Sequence, residues 1–552
     1  MAVHHILGRN VIWWEDKNLN KYWTKYSNYI TQKFPVIDNS NHEQIIEIFK
    51  DSFGFFVNEF ETEIKAETNV AFFAFTLGLH DTSIEIYLEQ LNGASIAPFD
   101  EGDYATYRRI LKLILEQSCD INLVAGVNLL NDMSANRIIY KDKIEDLMYL
   151  GLWIYSFAEH VAHMDLMGPI HGLEIGEDGI VSILTNQPFG FLIDRIKEDY
   201  NTHSGKVVVD TIGVEEFKIA VEAHLGVNYD NAGQFLQGQV VNPKQKFGLI
   251  PYQGLKTYGI ENFGYSENQM ETFYSGLVLN RANKLTIMDS VLNPQKNERY
   301  IYRPLLLLNT NLGECIMVSL SKWSESVTTL TTNAIPWGYS PAEWLNIEAF
   351  KQYAQNKIDN HDKLLEDEAE NMFVNDSVKF DRNIKSFKPL KGDNISCDVP
   401  EAGEMDFIFI DEENQIIYVL ECKHNRSRFD MVSYRKEFSN FSKTYEPRLE
   451  LKVKWVEQNI ALVNEHFGHL YPKSQLDISK FTVKGVFLIN APNFNLYNGN
   501  LPYFTLTTLE QLIQGNYVEQ KYEITLDRET GNLTFLVEKP YFTNTHRAIN
   551  EG

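Results

Sequence analysis

Two short stretches could bring carboxylates and an amine together: Glu404-Met405-Asp406 and Glu421-Cys422-Lys423. Both join runs that are nearly all apolar, Phe407-Ile408-Phe409-Ile410 and Ile417-Tyr418-Val419-Leu420. Such runs read as core strands, where a charged residue is rare unless it has a role. The polar tetrapeptide Glu412–Gln415 between them reads as a turn. With Asp411 paired to Ile416, antiparallel counting sets Asp406 opposite Glu421 and Glu404 opposite Lys423. Directly opposed residues share a face, with Cβ atoms about 5 Å apart. Alternation along each strand adds Glu404 to Asp406 and Glu421 to Lys423. One end of one sheet face is thus expected to carry three carboxylates and an ammonium. Close carboxylates repel unless a positive charge lies between them. A divalent cation fits that gap, and Mg²⁺ is typically held by one or two carboxylates plus substrate phosphate.

The elements that must position these residues begin near residue 340. Ile335-Pro336-Trp337-Gly338-Tyr339 is rich in breakers, and Ser340-Pro341-Ala342-Glu343 offers an N-cap, a proline at the first helical position and a capping-box glutamate. A domain boundary is predicted there, dividing the chain into 1–339 and 340–552, with helix running on to about Phe373. A polar segment precedes the strands Glu404–Asp411 and Ile416–Lys423. A helical region follows over Met431–His466, then a buried strand Val483–Asn490, a short strand Tyr503–Leu506 and a helix Thr508–Gln514. This order predicts a mixed sheet with helices packed on it.

On these residues the chain resembles the PD-(D/E)XK nuclease superfamily, whose fold is restriction-endonuclease-like. The resemblance rests on Gly403-Glu404-Met405-Asp406-Phe407-Ile408 followed by Val419-Leu420-Glu421-Cys422-Lys423 and covers about residues 340–515. Glu404-Met405 stands where the family's name has Pro-Asp. The family also uses a glutamate on the preceding helix. Glu366 resembles that spacing best, with Leu365, Ala369 and Phe373 as apolar neighbours, and Glu368 is the second choice. The resemblance implies phosphodiester hydrolysis, with DNA the expected substrate and RNA the alternative. It implies that Asp406, Glu421 and Glu366 hold Mg²⁺ or Mn²⁺, with the backbone carbonyl of Cys422 a further ligand. The metal would polarise the phosphate and lower the pKa of a bound water, and Lys423 would orient that water and counter charge at phosphorus. The Cys422 thiol alternates to the other face and reads as a core residue. A non-catalytic nucleic-acid binder that keeps the fold is the competing reading.

The formal net charge of -25 is unusual for a nucleic-acid binder, so a local basic patch is required. Lys423 to Lys454 holds nine Lys/Arg against four acids, and Arg426, Arg428, Arg435 and Lys443 are the expected phosphate contacts. A solvated helix face with i,i+4 pairs would have the same composition. The four cysteines form no CxxC pair, which points to reduced thiols rather than a zinc knuckle or a disulfide framework. The longest apolar stretch, Leu147 to Ala158, is about half of the ~20 residues a membrane span needs. A cytoplasmic protein without membrane contact is expected.

Residues 1–339 resemble no family and read as a mostly helical α+β region for recognition or regulation. Helices are predicted at Asn41–Phe60 with Asn41 as N-cap, at Tyr104–Leu115 and at Lys143–Met164, and a hairpin at Ile301–Leu320. The same region is where a second copy or a protein partner would dock. His160 and His163, one helical turn apart, read as hydrogen-bonded rather than metal-binding. No phosphate loop, serine elbow or HExxH stretch occurs. Fusions of this kind suggest restriction or anti-phage defence, an inference from the resemblance alone.

Overall fold

A computed structural model describes residues 3–551 apart from 7–8, 13–20, 92–100, 187–188, 196–197, 199–205, 207–211, 240–246, 398–401, 428–429, 475 and 527–531. The chain forms two compact units. The first comprises Met1–Val161, Ile175–Ser182 and Asp210–His361; the second comprises Ala162–Glu174, Ile183–Val209 and Asp362–Gly552. The boundary predicted at residue 340 therefore falls inside the first unit. No helix of the described residues is long and apolar enough to cross a membrane.

The first unit is mainly helical. Helix His42–Lys65 starts at Asn41, whose side chain accepts the Gln44 N–H at 3.1 Å. It buries Ile45, Phe49, Phe53, Phe56 and Phe60, the predicted stripe. The helices predicted around Tyr104 and Lys143 run longer, over Glu101–Ser118 and Arg137–Met167, the latter crossing into the second unit at Ala162. Helix Val70–Leu91 is apolar on nearly every side, so no 3.6-residue period betrays it. The predicted hairpin forms from Leu305–Thr310 and Gly313–Ser319, with Thr310 paired to Gly313. Phe247–Pro251 adds an antiparallel edge to it.

The capping box predicted at Ser340–Glu343 does not form. The helix at Ala342–Leu345 is capped by Pro341 with no side-chain hydrogen bond. Glu343 instead receives the buried Arg303 guanidinium at 3.0 and 2.8 Å. Trp344 is fully buried, packs with Phe273 and Phe350, and donates its indole N–H to the Phe273 carbonyl at 3.1 Å. Trp344, Phe350 and Ala354 belong to the first unit's core. These apolar anchors, rather than the local breakers, decide where that unit ends.

The second unit is built on a mixed five-stranded sheet. Its strands are β1 (Lys379–Ile384), β2 (Met405–Asp411), β3 (Ile416–Lys423), β4 (Thr482–Ile489) and β5 (Tyr503–Phe504), side by side in that order. β2 is antiparallel to both of its neighbours, β1 and β3, while β4 runs parallel to β3 and β5 to β4. The predicted register holds: Asp411 pairs with Ile416 and Phe407 with Leu420. The turn is fixed by Asp411, whose carboxylate accepts the Asn414 backbone and side-chain N–H groups at 3.0 and 2.9 Å. Gln415, at φ 56°, closes it.

β1 lies in the stretch the sequence reading leaves as polar linker. Lys379-Phe380-Asp381-Arg382-Asn383-Ile384 has no apolar alternation because it is an edge strand whose charged side chains are paired. One face of the sheet, Phe407, Phe409, Tyr418, Leu420 and Cys422, packs on Leu365, Ala369 and Phe373 of helix α1 (Glu348–Asn375). The other face is covered by helix α2 (Glu446–Gln458). There Gly485 of β4 is needed: a Cβ at this position would sit 2.8 Å from Val453 and 3.0 Å from Leu449. That close approach seats α2 directly on the central strands.

Candidate active site

Register and alternation determine which groups meet. Continuing the β2–β3 pairing one residue beyond Phe407 and Leu420 sets Asp406 opposite Glu421, on the α2 face. The Asp406 carboxylate accepts the Cys422 backbone N–H at 2.7 Å, which fixes its orientation. Glu421 is buried. The Lys423 amine lies 3.9 Å from Glu421 and 5.2 Å over the Tyr445 ring. Past β3 the chain is laced to the segment after β4. The Lys423 carbonyl accepts the Asn425 N–H at 2.8 Å, and the Asn425 side chain donates to the Ala491 carbonyl at 2.8 Å. The end of β3 is thereby held rigid.

α2 brings a residue that sequence reading counts only as one of nine basic groups. Lys452 is buried, and its amine lies 2.7 Å from both oxygens of Glu421. Its signal in the sequence is Leu449, Lys452, Val453 and Val456, a lysine set in the apolar stripe of an amphipathic helix. A buried amine needs a buried carboxylate, and Glu421 is that partner.

The electrostatics follow from this geometry. Burial pushes the Asp406 carboxyl up to about 7, and the neighbouring Glu421 charge pushes the same way. The Lys423 ammonium, the Cys422 N–H and Lys452 oppose the shift. Asp406 is therefore a half-buried acid with too little positive charge around it. Burial raises the Cys422 thiol well above its ordinary range, and the Asp406 and Glu366 charges add to that. A thiol in that state packs rather than reacts.

Other predicted residues are placed differently. Glu366 lies on α1, against the opposite sheet face, and accepts from Arg382 at 3.0 Å. Arg382 also clasps Asp367 at 2.7 Å and Glu370 at 2.5 Å. Glu368 is exposed. Glu404 falls just before β2 and pairs with Lys385 at 3.3 Å, not with Lys423. Arg435 is paired with Asp165 at 2.8 Å, while Lys443 is exposed and Arg426 half-buried. Arg428 lies outside the described residues.

No family model, curated protein or solved structure matches this chain. Asp406 and Glu421 form an opposed carboxylate pair with one acid left short of positive charge, and hard oxygen donors of this kind suit Mg²⁺ or Mn²⁺. Of the histidines, His160 lies 3.2 Å from Ser156, and His163 lies 3.1 Å from His171.

Proposed function

We propose that the second unit is a metal-dependent nuclease that hydrolyses phosphodiester bonds in nucleic acid, with DNA the expected substrate and Mg²⁺ or Mn²⁺ the cofactor. The observation that carries this reading is the opposed pair Asp406 and Glu421, flanked by Lys423, at the end of the two central antiparallel strands. The order helix, three antiparallel strands, helix, parallel strand supports it as well, since it agrees with the restriction-endonuclease-like arrangement the motif implies.

Asp406 and Glu421 are the residues that would hold the metal. When bound, the ion supplies Lewis acidity toward the scissile phosphate. The protein's own part begins with orientation: the Cys422 N–H aims the Asp406 carboxylate. Lys423, half-buried with its amine between Glu421 and the Tyr445 ring, is the cation that faces an incoming phosphate. Charge developing on the phosphoryl oxygens is stabilised there in a partly desolvated site. Lys443 and Lys454, both exposed, would touch the backbone of the substrate without reading its sequence.

One observation favours a second reading, a nucleic-acid binder without catalysis. Lys452 already holds both oxygens of Glu421, and Arg382 occupies Glu366, so part of the carboxylate set is neutralised by the protein itself. The deciding experiment is incubation of the whole protein with plasmid, single-stranded DNA and RNA, with Mg²⁺, Mn²⁺ or EDTA. Metal-dependent cleavage that disappears in Asp406→Asn and Lys423→Ala supports the nuclease. Binding without cleavage under every metal supports the second reading.

A further inference from the structure

A polar cluster buried in the first unit plays no part in that chemistry. It gathers His80 from helix Val70–Leu91, Arg108 and Lys112 from helix Glu101–Ser118, Tyr300, and Lys322 and Glu325 from helix Leu320–Thr329. The Glu325 carboxylate accepts from Arg108 at 2.5 Å and from Lys322 at 2.6 Å. The Lys322 amine also donates to the Ile301 carbonyl at 3.2 Å and sits 5.0 Å over the Tyr300 ring. That ring is 5.6 Å from His80. Nearby, Asp81 accepts the Ser319 hydroxyl at 2.6 Å.

The donors left over are the informative groups. Neither nitrogen of the fully buried His80 ring has a partner, nor does the Tyr300 hydroxyl, nor Arg108 Nε. Lys112 follows Arg108 by one helical turn and is buried beside them. Each unmade hydrogen bond carries the desolvation cost of its donor. A group of such donors in one place is an acceptor site without its acceptor. The formal charges agree: the cations Arg108, Lys112 and Lys322 exceed the carboxylates Glu325 and Asp81 by one. A small anion rich in oxygens answers both deficits, because phosphate oxygens accept several charge-assisted hydrogen bonds at once. A planar carboxylate offers two oxygens, fewer than the donors present.

We propose that this cluster binds a phosphate group, either free or at the end of a nucleotide, with Lys112, Arg108, Tyr300 and His80 as its donors. Burial pushes the Lys112 ammonium down to about 7, and only Glu325 among the groups acting on it favours the charged form. A bound anion would supply the remaining stabilisation. The Arg108 side chain is partly exposed, with its guanidinium 5.2 Å from the exposed ring of Tyr87, and would be the first of these donors an entering anion meets. The first unit would thereby sense phosphate-bearing solutes independently of the Asp406 centre.

The test uses the full-length protein and inorganic phosphate as probe, by thermal shift and calorimetry, with sodium chloride at matched ionic strength as control. Phosphate is expected to raise the melting temperature saturably where chloride does not, and Asp406→Asn to leave that response intact. Lys112→Met should weaken phosphate binding at least ten-fold. Tyr300→Phe keeps shape and folding and should weaken it several-fold. A parallel titration with ADP identifies the source: tighter binding than phosphate assigns a nucleotide, equal or weaker binding the free anion. The absence of a phosphate-specific shift, or full retention of it in both variants, would overturn the site.

Discussion

Replacing Asp406 by asparagine should stabilise the metal-free protein and abolish its response to metal. In the native site the carboxyl is held near 7 against an ordinary value of 3.8, chiefly by burial and by Glu421. At ~1.4 kcal/mol per pH unit, ionising it above pH 7 costs the fold at most about 4 kcal/mol. The sign follows from proton binding. The folded state holds a proton that the unfolded state has lost between pH 3.8 and about 7, so this group's contribution falls as pH rises through that window and is flat above it. The asparagine amide keeps an oxygen for the Cys422 N–H and carries no charge. In EDTA at pH 8 the variant should therefore melt higher by several degrees, the equivalent of about 1–3 kcal/mol. The difference should vanish near pH 4. With Mn²⁺ the order reverses: the wild type gains ~2.7 kcal/mol at a hundred-fold excess over its dissociation constant, and the variant gains little. Scanning fluorimetry from pH 4 to 8, with and without Mn²⁺, reads all three. A variant less stable at pH 8 in EDTA, with an undiminished Mn²⁺ shift, would refute both the carboxylate coupling and the ligand assignment.

Lys423→Ala should leave folding and DNA affinity nearly unchanged and slow cleavage about 10²–10³-fold, ~3–4 kcal/mol of transition-state stabilisation, measured as initial rates on plasmid. Lys452→Met removes the amine that clasps both Glu421 oxygens. It should tighten Mn²⁺ binding in calorimetry, because the metal no longer competes with a resident cation; weaker binding would make Lys452 a support of the ligand instead. Arg435→Ala with Lys443→Ala should flatten the salt dependence of DNA binding, by up to about 0.9 in log–log slope for each phosphate no longer neutralised. Since Arg435 is already engaged by Asp165, most of that change should come from Lys443.

Much of the second unit was legible because its signals are local. Apolar runs flanking a polar tetrapeptide specified β2, β3 and their register, and with them the meeting of Asp406 and Glu421. The residues Leu365, Ala369 and Phe373 marked the buried side of α1. What was not legible depends on partners distant in the chain. β1 looks polar because Arg382 and Asp381 have their partners on α1 and at His466. The break near residue 340 was read from Pro336, Gly338 and the Ser340 cap, yet Arg303 takes Glu343 and the core takes Trp344. Local punctuation predicts where a helix can stop; burial of a tryptophan decides which unit owns it.

The same distinction governs the site. A motif records the carboxylates and the lysine but not what balances them. Here α2 approaches closely at Gly485, a position with room for no Cβ, and that approach is what delivers Lys452 to Glu421. The result is unequal acids on one face: Glu421 paired to an amine at 2.7 Å, and Asp406 short of charge with its carboxyl held near 7. Two identical, fully solvated carboxylates would ionise together well below neutral pH. Glu421 thus has a resident cation, and Asp406 is the acid awaiting one. Metal uptake should consequently expel a proton from Asp406 below about pH 7 and become independent of pH above it.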